Sequence, residues 1–367
     1  MRIKSISTYA LALPLAQVQH LSRGREFREF ESTFIKIETD EGITGWGEVC
    51  PWGASYLPAF TGGVQTAIAE IAPKLIGMDP LRPEVINRFM DAVLTGHIYA
   101  KAGIDYALWD IIGKACNLPV YDLLGGKEDH NVPLSYAIHV NPLEVMLADL
   151  DKKRLQGVTR FSVKVGNDYE SDVAIVRAFA GKRLPHETFI YDANTGWAPM
   201  DAIRVMNAVS DVDACFEQPC MSYDQCMNVR SQTRQALCLD ECLVDLKDFA
   251  RAFTDRSCEI VNIKLARVGG ITKARAIRDL CLSYDVKMLI MCMAGTVVND
   301  TVSAHFAQSI PSNRLIGCWN CQELLTVDPA PGQGARALNG FLTPPDLPGL
   351  GVEPNEEVLG KAIAIFS

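Results

Sequence analysis

From Val132 onward the chain repeats one pattern: a short apolar run rich in β-formers, then a segment with helical spacing. The runs are Leu134–Ile138, Arg160–Val165, Thr188–Asp192, Ala214–Glu217, Ala236–Asp240, Ile260–Lys264, Val286–Met291 and Arg314–Cys318, and their ends fall 23 to 27 residues apart. Eight evenly spaced βα units predict a TIM-like α/β barrel. A doubly wound sheet is the competing architecture, but it seldom runs to eight such regular units. The first 125 residues follow a different rhythm. Alternation at Ile3–Leu13 and Thr33–Thr39 predicts strands, and Asp40-Glu41-Gly42 predicts a turn into Gly45-Trp46-Gly47-Glu48. Helical spacing follows at Val64–Ile76, Pro83–Leu94 and Ala100–Cys116. Residues 1–128 therefore read as an α+β unit and residues 129–329 as the barrel. The Gly/Pro-rich segment 330–367 reads as a return across the surface to the first unit. Two stretches, Leu15–Arg28 and Pro51–Phe60, carry no clear period and read as loops.

Composition narrows the function. The 367 residues are 48% hydrophobic and 22% charged, with a net charge of −9. An acidic chain without Lys/Arg runs repels phosphate backbones, so no nucleic-acid partner is expected. No apolar run approaches the roughly 18 residues of a membrane span, so no membrane partner is expected either. The N-terminal stretch reads as the first strand of the mature protein and not as a secretion signal, because its apolar part is short and holds Pro14. Twelve cysteines scattered from Cys50 to Cys321 point to buried free thiols in a reducing cytoplasm. Cys318-x-x-Cys321 and Cys238-x-x-x-Cys242 lack a second Cys/His pair that would make either a zinc site. Neither a Gly-x-Ser-x-Gly elbow nor a Walker-type phosphate loop occurs.

Barrel strands should be apolar, yet several predicted here finish on a charge: Lys164, Asp192, Glu217, Asp240 beside Glu241, and Lys264. The C-terminal rim of a barrel is where active sites assemble. One rim carboxylate is commonly a helix cap or an ion-pair partner; charges at five successive strand ends are not so easily dismissed. Asp192, Glu217 and Asp240 on adjacent strands make a hard oxygen site suited to Mg²⁺. Asn194 and Glu241 are placed to support those ligands. Lys164 and Lys264, on the second and sixth strands of eight, fall on opposite sides of the mouth. A lysine near a cation and another lysine loses its proton more easily and becomes a usable base. The arrangement suits removal of a proton α to a carboxylate, with the metal holding the enediolate that results.

These segments, with Ala100–Lys114, Gly125-Gly126, Glu217-Gln218-Pro219 and Asn262-Ile263-Lys264 before Gly269-Gly270, resemble the enolase superfamily and its muconate lactonizing enzyme subgroup over essentially the whole chain. The resemblance implies a (β/α)7β barrel under an α+β capping domain that the C-terminal segment completes. It implies Mg²⁺, or Mn²⁺ in its place, on Asp192, Glu217 and Asp240, with Lys164 and Lys264 as acid/base groups, and an oligomeric assembly. A small-molecule carboxylate, an amino acid in the first instance, is the expected partner. No His–Asp pair at strand ends resembles the mandelate racemase dyad.

The subgroup usually carries Lys-x-Lys at the end of the second strand, and here the first of the two is Ser162. A substrate bearing its own positive charge beside the carboxylate would be repelled by a lysine and tolerate a serine. Trp52, Tyr56 and Trp319 could then face that cation, though plain packing or a lid contact is the competing reading of each. The departure, with Gly45–Tyr56 and Gly96–Lys114, resembles members acting on proline derivatives: cis-3-hydroxy-L-proline dehydratases and the betaine epimerases. Muconate-type cycloisomerase, dipeptide epimerase and acid-sugar dehydratase are the alternatives, and a non-catalytic binding protein of this fold is the reading from another class.

Overall fold

A computed structural model describes residues 1–367, the side chain of Arg23 excepted. The N-terminal unit opens with β1 (Ile3–Leu21), β2 (Arg25–Thr39) and β3 (Thr44–Val49), followed by α1 (Thr61–Leu75), α2 (Pro83–Val93), α3 (Ile98–Cys116) and the single turn α4 (Val120–Leu123). Alternating strands and helices follow: β4 (Ser135–Ile138), α5 (Leu143–Leu155), β5 (Arg160–Lys164), α6 (Tyr169–Lys182), β6 (Thr188–Asp192), α7 (Pro199–Ala208) and β7 (Cys215–Glu217). The series continues with α8 (Tyr223–Arg230), β8 (Ala236–Leu239), α9 (Leu246–Thr254), β9 (Ile260–Lys264), α10 (Leu265–Val268) and α11 (Ile271–Ser283). It ends with β10 (Lys287–Met291), α12 (Val297–Gln308) and β11 (Leu315–Cys318).

Strands β4 to β11 hydrogen-bond in sequence order, all in parallel. A parallel bridge between Leu134 and Cys318 joins the last strand to the first and closes the barrel. The predicted α/β barrel is therefore present. Its strands start or stop within a residue of the expected bounds, because an apolar run flanked by polar turns marks a buried strand directly.

The antiparallel sheet of the cap runs β14–β1–β2–β3, where β14 (Ala364–Phe366) comes from the far C-terminus and pairs with β1. Ahead of it lie β12 (Arg336–Leu338), β13 (Phe341–Thr343) and α13 (Glu356–Leu359). One expectation is corrected here. Leu15–Arg28 is not a loop: β1 and β2 extend as a long hairpin up to a tight turn at 22–24. The ladder slips between Pro14 and Gln19. Proline has no N–H to give, so the alternation breaks there and hides the rest of the strand from a period count.

The Gly45-Trp46-Gly47-Glu48 segment has a packing explanation. A Cβ on Gly45 would lie 2.2 Å from the Ala107 carbonyl oxygen, and one on Gly47 would lie 2.0 Å from that of Gly103. Only glycine lets β3 pass this close to α3. The next residue, Glu48, crosses to the barrel. Its buried carboxylate accepts from the backbone N–H groups of Thr296 (2.9 Å) and Asn299 (3.1 Å), at the start of α12, and from the Ser32 hydroxyl (2.6 Å). A cap-domain acid thereby satisfies the free amides of a barrel helix. Asp105 of α3 does the same for α11 through the N–H of Thr272 at 3.0 Å. The cap is thus bolted to the barrel mouth at two helix N-termini. All twelve cysteines are free, and among the described residues no helix is long and apolar enough to cross a membrane.

Candidate active site

The cap closes over the C-terminal ends of the barrel strands. The cleft beneath it is lined by Ser162, Lys164, Asp192, Asn194, Glu217, Asp240, Lys264, Trp52, Tyr56 and Trp319. Ten of the eleven residues singled out from the sequence therefore meet in one place. Glu241 stands behind this wall and lines a neighbouring recess. The space not filled by atoms, part of it open to solvent, is about 560 Å³.

Register explains the convergence. Lys164 pairs with Asp192, and Asp192 with Glu217. Glu217 pairs with Cys238, two residues before Asp240. The charged ends therefore stand side by side along one rim. Lys164 on β5 and Lys264 on β9 are four strands apart in a closed ring of eight, hence on opposite flanks. Lys164 pairs with Asp192 Oδ2. Lys264 Nζ lies 2.5 Å from Asp240 Oδ2, and Arg267 Nη2 lies 2.6 Å from Asp240 Oδ1. Arg267 also donates to the Asp240 carbonyl (2.8 Å) and, through Nε, to that of Leu243 (3.1 Å). Asn262 Nδ2 donates to Glu217 Oε1 at 2.7 Å.

Burial raises the Glu217 pKa well above the usual carboxylate range, and the neighbouring Asp192 and Asp240 push it further. Asp240 goes the other way: burial would raise it, but Arg267 and Lys264 outweigh burial and hold it low. One expectation about Lys264 is corrected by the same contacts. Burial acts to loosen its proton, yet Asp240 and Glu241 outweigh that and hold the ammonium above its ordinary pKa. A lysine loosened by its surroundings is therefore not what these side chains alone provide.

The metal expectation also needs refining. Among the described residues, no three His, Cys, Asp or Glu side chains are drawn tightly enough around one point to hold an ion as they stand. Asp192 and Asp240 each spend an oxygen on a lysine. The donor set nevertheless fits a hard cation. It offers carboxylate oxygens only, set side by side along the rim by strand register, and the mutual repulsion of Asp192, Glu217 and Asp240 is of the kind a dication in their midst would relieve.

Asn194 and Glu241 are hydrogen-bonded to each other beside this rim. The backbone N–H of Asn194 donates to Asp192 Oδ1 at 2.8 Å. Its side-chain amide donates to Glu241 Oε1 and to the Tyr56 hydroxyl, both at 3.2 Å, and that hydroxyl in turn donates to Glu241. Burial and the charge of Asp240 push Glu241 up to about 7. The aromatic residues are largely engaged with the protein itself. Trp52 stacks on Phe30 at 4.6 Å and meets Trp319 edge-on at 5.9 Å. The Tyr56 ring already faces Arg25 at 4.8 Å and Lys264 at 5.8 Å. The hairpin tip belongs to the site as well: Leu21 lines the cleft, and Arg25 donates to the Asn194 carbonyl at 2.8 Å.

Sequence reasoning missed His139, Arg267 and the wall of Leu289, Met291 and Met293, although Leu289 and Met291 lie in a strand it had predicted. His139 sits one residue past a predicted strand end, where the alternation of Ser135 and Ala137 could have flagged it. Arg267 gave no signal, since a lone arginine after a strand reads as solvated.

A barrel with acids and amines on its rim, sealed by a cap that its own C-terminus completes, is the architecture of the enolase superfamily. The chain belongs to that superfamily and to its mandelate racemase/muconate lactonizing enzyme family. Residues 15–125 match the mandelate racemase/muconate lactonizing enzyme N-terminal domain, and residues 146–358 match the enolase C-terminal domain-like family. It is an enzyme of the dehydratase or racemase/epimerase type. The chain is 39% identical to a cis-3-hydroxy-L-proline dehydratase from Roseibium aggregatum, with both chains covered in full. It is 30% identical to a hydrophobic dipeptide epimerase from Enterococcus faecalis, over 84% of this chain and 87% of that one. A solved member of the enolase superfamily from Roseovarius nubinhibens, complexed with magnesium, superposes with a TM-score of 0.96 at 40% identity, covering 100% of this chain and 99% of the other.

Proposed function

We propose that the protein abstracts the proton α to the carboxylate of a proline-type amino acid and dehydrates cis-3-hydroxy-L-proline. The observation that carries this reading is the pair of lysines on opposite flanks of one small cleft, with three acids on the rim between them. Lys164 and Lys264 each reach the substrate carbon from one side, so a proton removed on one flank is not returned by the same group. Asp192, Glu217 and Asp240 would hold Mg²⁺, with Mn²⁺ as a substitute. That ion supplies Lewis-acid stabilisation of the charge that develops on the substrate carboxylate. Asn194 fixes Asp192, and Arg267 fixes Asp240, so these acids are held in place before a substrate arrives. Ser162 leaves the Lys164 flank with one cation in place of two, which tolerates the substrate's own ammonium. Trp52 and Tyr56 from the cap and Trp319 from the barrel line the cleft above the substrate position.

The same pair of lysines would also permit 2-epimerisation, and the relation to dipeptide epimerases favours keeping that second outcome. One NMR experiment separates the two. Proline, hydroxyproline and betaine stereoisomers are incubated side by side with enzyme and Mg²⁺. Formation of a cyclic imine from cis-3-hydroxy-L-proline supports dehydration. Inversion at Cα without loss of water supports epimerisation, and turnover confined to muconate or succinylbenzoate-type acids rejects both.

A further inference from the structure

The two flanks of the cleft are not alike. Beside Asp240, its ion-pair partner, and the Tyr56 ring, Lys264 has Leu289, Met291 and Met293 on the cleft wall, and the Asn262 amide N–H donates to Glu217. Lys164 stands among hydrogen-bonding groups: Ser135, His139 and Ser162. His139 follows β4, whose Ile138 pairs with Val163 of β5, so the imidazole lies level with Lys164 on the adjacent strand. Strand alternation turns it to the same side as Ala137, Ser162 and Lys164. Its Nδ1 is buried without a partner, which leaves Nε2 as the ring atom able to meet a ligand. Burial first, then the charges of Lys164 and His20, push its pKa down to about 3. The ring is therefore neutral at working pH, with one N–H and one lone pair.

We infer that His139 selects a substrate carrying a hydroxyl on the carbon beside the acidic one, and holds that hydroxyl on the Lys164 flank while Lys264 takes the α-hydrogen from the other. This rests on the dehydratase reading and deepens it. In cis-3-hydroxy-L-proline the hydroxyl shares a ring face with the carboxylate, so the α-hydrogen lies on the opposite face. A flank that adds Ser135, His139 and Ser162 beside Lys164, facing one that adds Leu289, Met291 and Met293 beside Lys264, matches that arrangement. Lys264, on the flank that faces the α-hydrogen, takes the Cα proton. The electron pair left behind forms the C2–C3 double bond as the C3–O bond breaks. The oxygen departs as water, with a proton from the Lys164 ammonium and a hydrogen bond from His139. The enamine then tautomerises to the cyclic imine, and solvent restores both amines to their starting protonation. No oxidant or reductant is required.

The test uses the Mg²⁺-loaded enzyme as wild type, His139→Phe and His139→Gln. Two quantities are read: kcat/KM for dehydration of cis-3-hydroxy-L-proline, and deuterium exchange at Cα of L-proline in heavy water. Expected is a loss in His139→Phe at least thirtyfold greater for dehydration than for exchange, with His139→Gln, which keeps an N–H donor, regaining threefold or more. Equal losses on both readouts would reduce His139 to packing and overturn the inference, as would no loss at all. A wild type that neither dehydrates nor exchanges overturns the dehydratase reading and this inference with it. An active wild type with indifferent variants overturns only the role of His139.

Discussion

Replacing Arg267 with methionine tests whether the rim is held by buried charge. Arg267 is 2% exposed, pairs with Asp240, and also donates to the backbone carbonyls of Asp240, Leu243 and Asn262. Removing one member of a buried pair costs about 3–5 kcal/mol, because the other is left charged and dry. Asp240 keeps Lys264 as a partner, and methionine refills most of the volume, so the lower end of that range, about 3 kcal/mol, is expected. Urea unfolding followed by tryptophan fluorescence reads this loss. The sign with pH follows from Asp240. Its folded pKa lies below the ordinary 3.8, so its contribution is complete above that value and fades as pH falls through the depressed one. Wild type and variant should therefore differ fully at neutral pH and converge in acid. Because Arg267 also fixes a proposed metal ligand, Mg²⁺ affinity should weaken about 10–100-fold by calorimetry. A variant within about 1 kcal/mol of wild type, with unchanged Mg²⁺ affinity, would refute the reasoning.

Lys264→Ala should lower α-hydrogen exchange by about 10²–10⁴, the usual worth of a general acid–base group; unaltered exchange by NMR would remove that residue from the chemistry. Gly47→Ala places a Cβ 2.0 Å from the Gly103 carbonyl oxygen, an overpacking that should cost about 3 kcal/mol or more, read as a fall in melting temperature. Chelation with EDTA should abolish turnover and added Mg²⁺ should restore it; turnover that survives thorough chelation would count against the ion.

Much of this was readable from the chain alone, for physical reasons. A barrel strand is buried on both faces, so its apolar run is continuous and its charged last residue stands out. Lys164, Asp192, Glu217 and Lys264 close their strands in that way, and Asp240 comes one residue after its own. Other features depend on partners distant in sequence. Glu48 lies 248 residues from Thr296, whose amide it accepts, and no local period carries that pairing. The Lys264 proton was misjudged because the balance there is set by Asp240, Glu241 and Arg267 together, and the guanidinium's position is a tertiary fact. Pro14 concealed a strand, and the polar turn after Ile138 concealed His139.

The most direct measurement follows the hydrogen at Cα. cis-3-Hydroxy-L-proline labelled with deuterium at that carbon is given to the Mg²⁺-loaded enzyme, and release of the label to solvent is timed against formation of the cyclic imine. Release that keeps pace with the imine, with a primary isotope effect on single turnover, is the expected result. Imine formed with the label still on carbon, or a substrate left untouched with its label in place, would contradict proton removal between the two lysines.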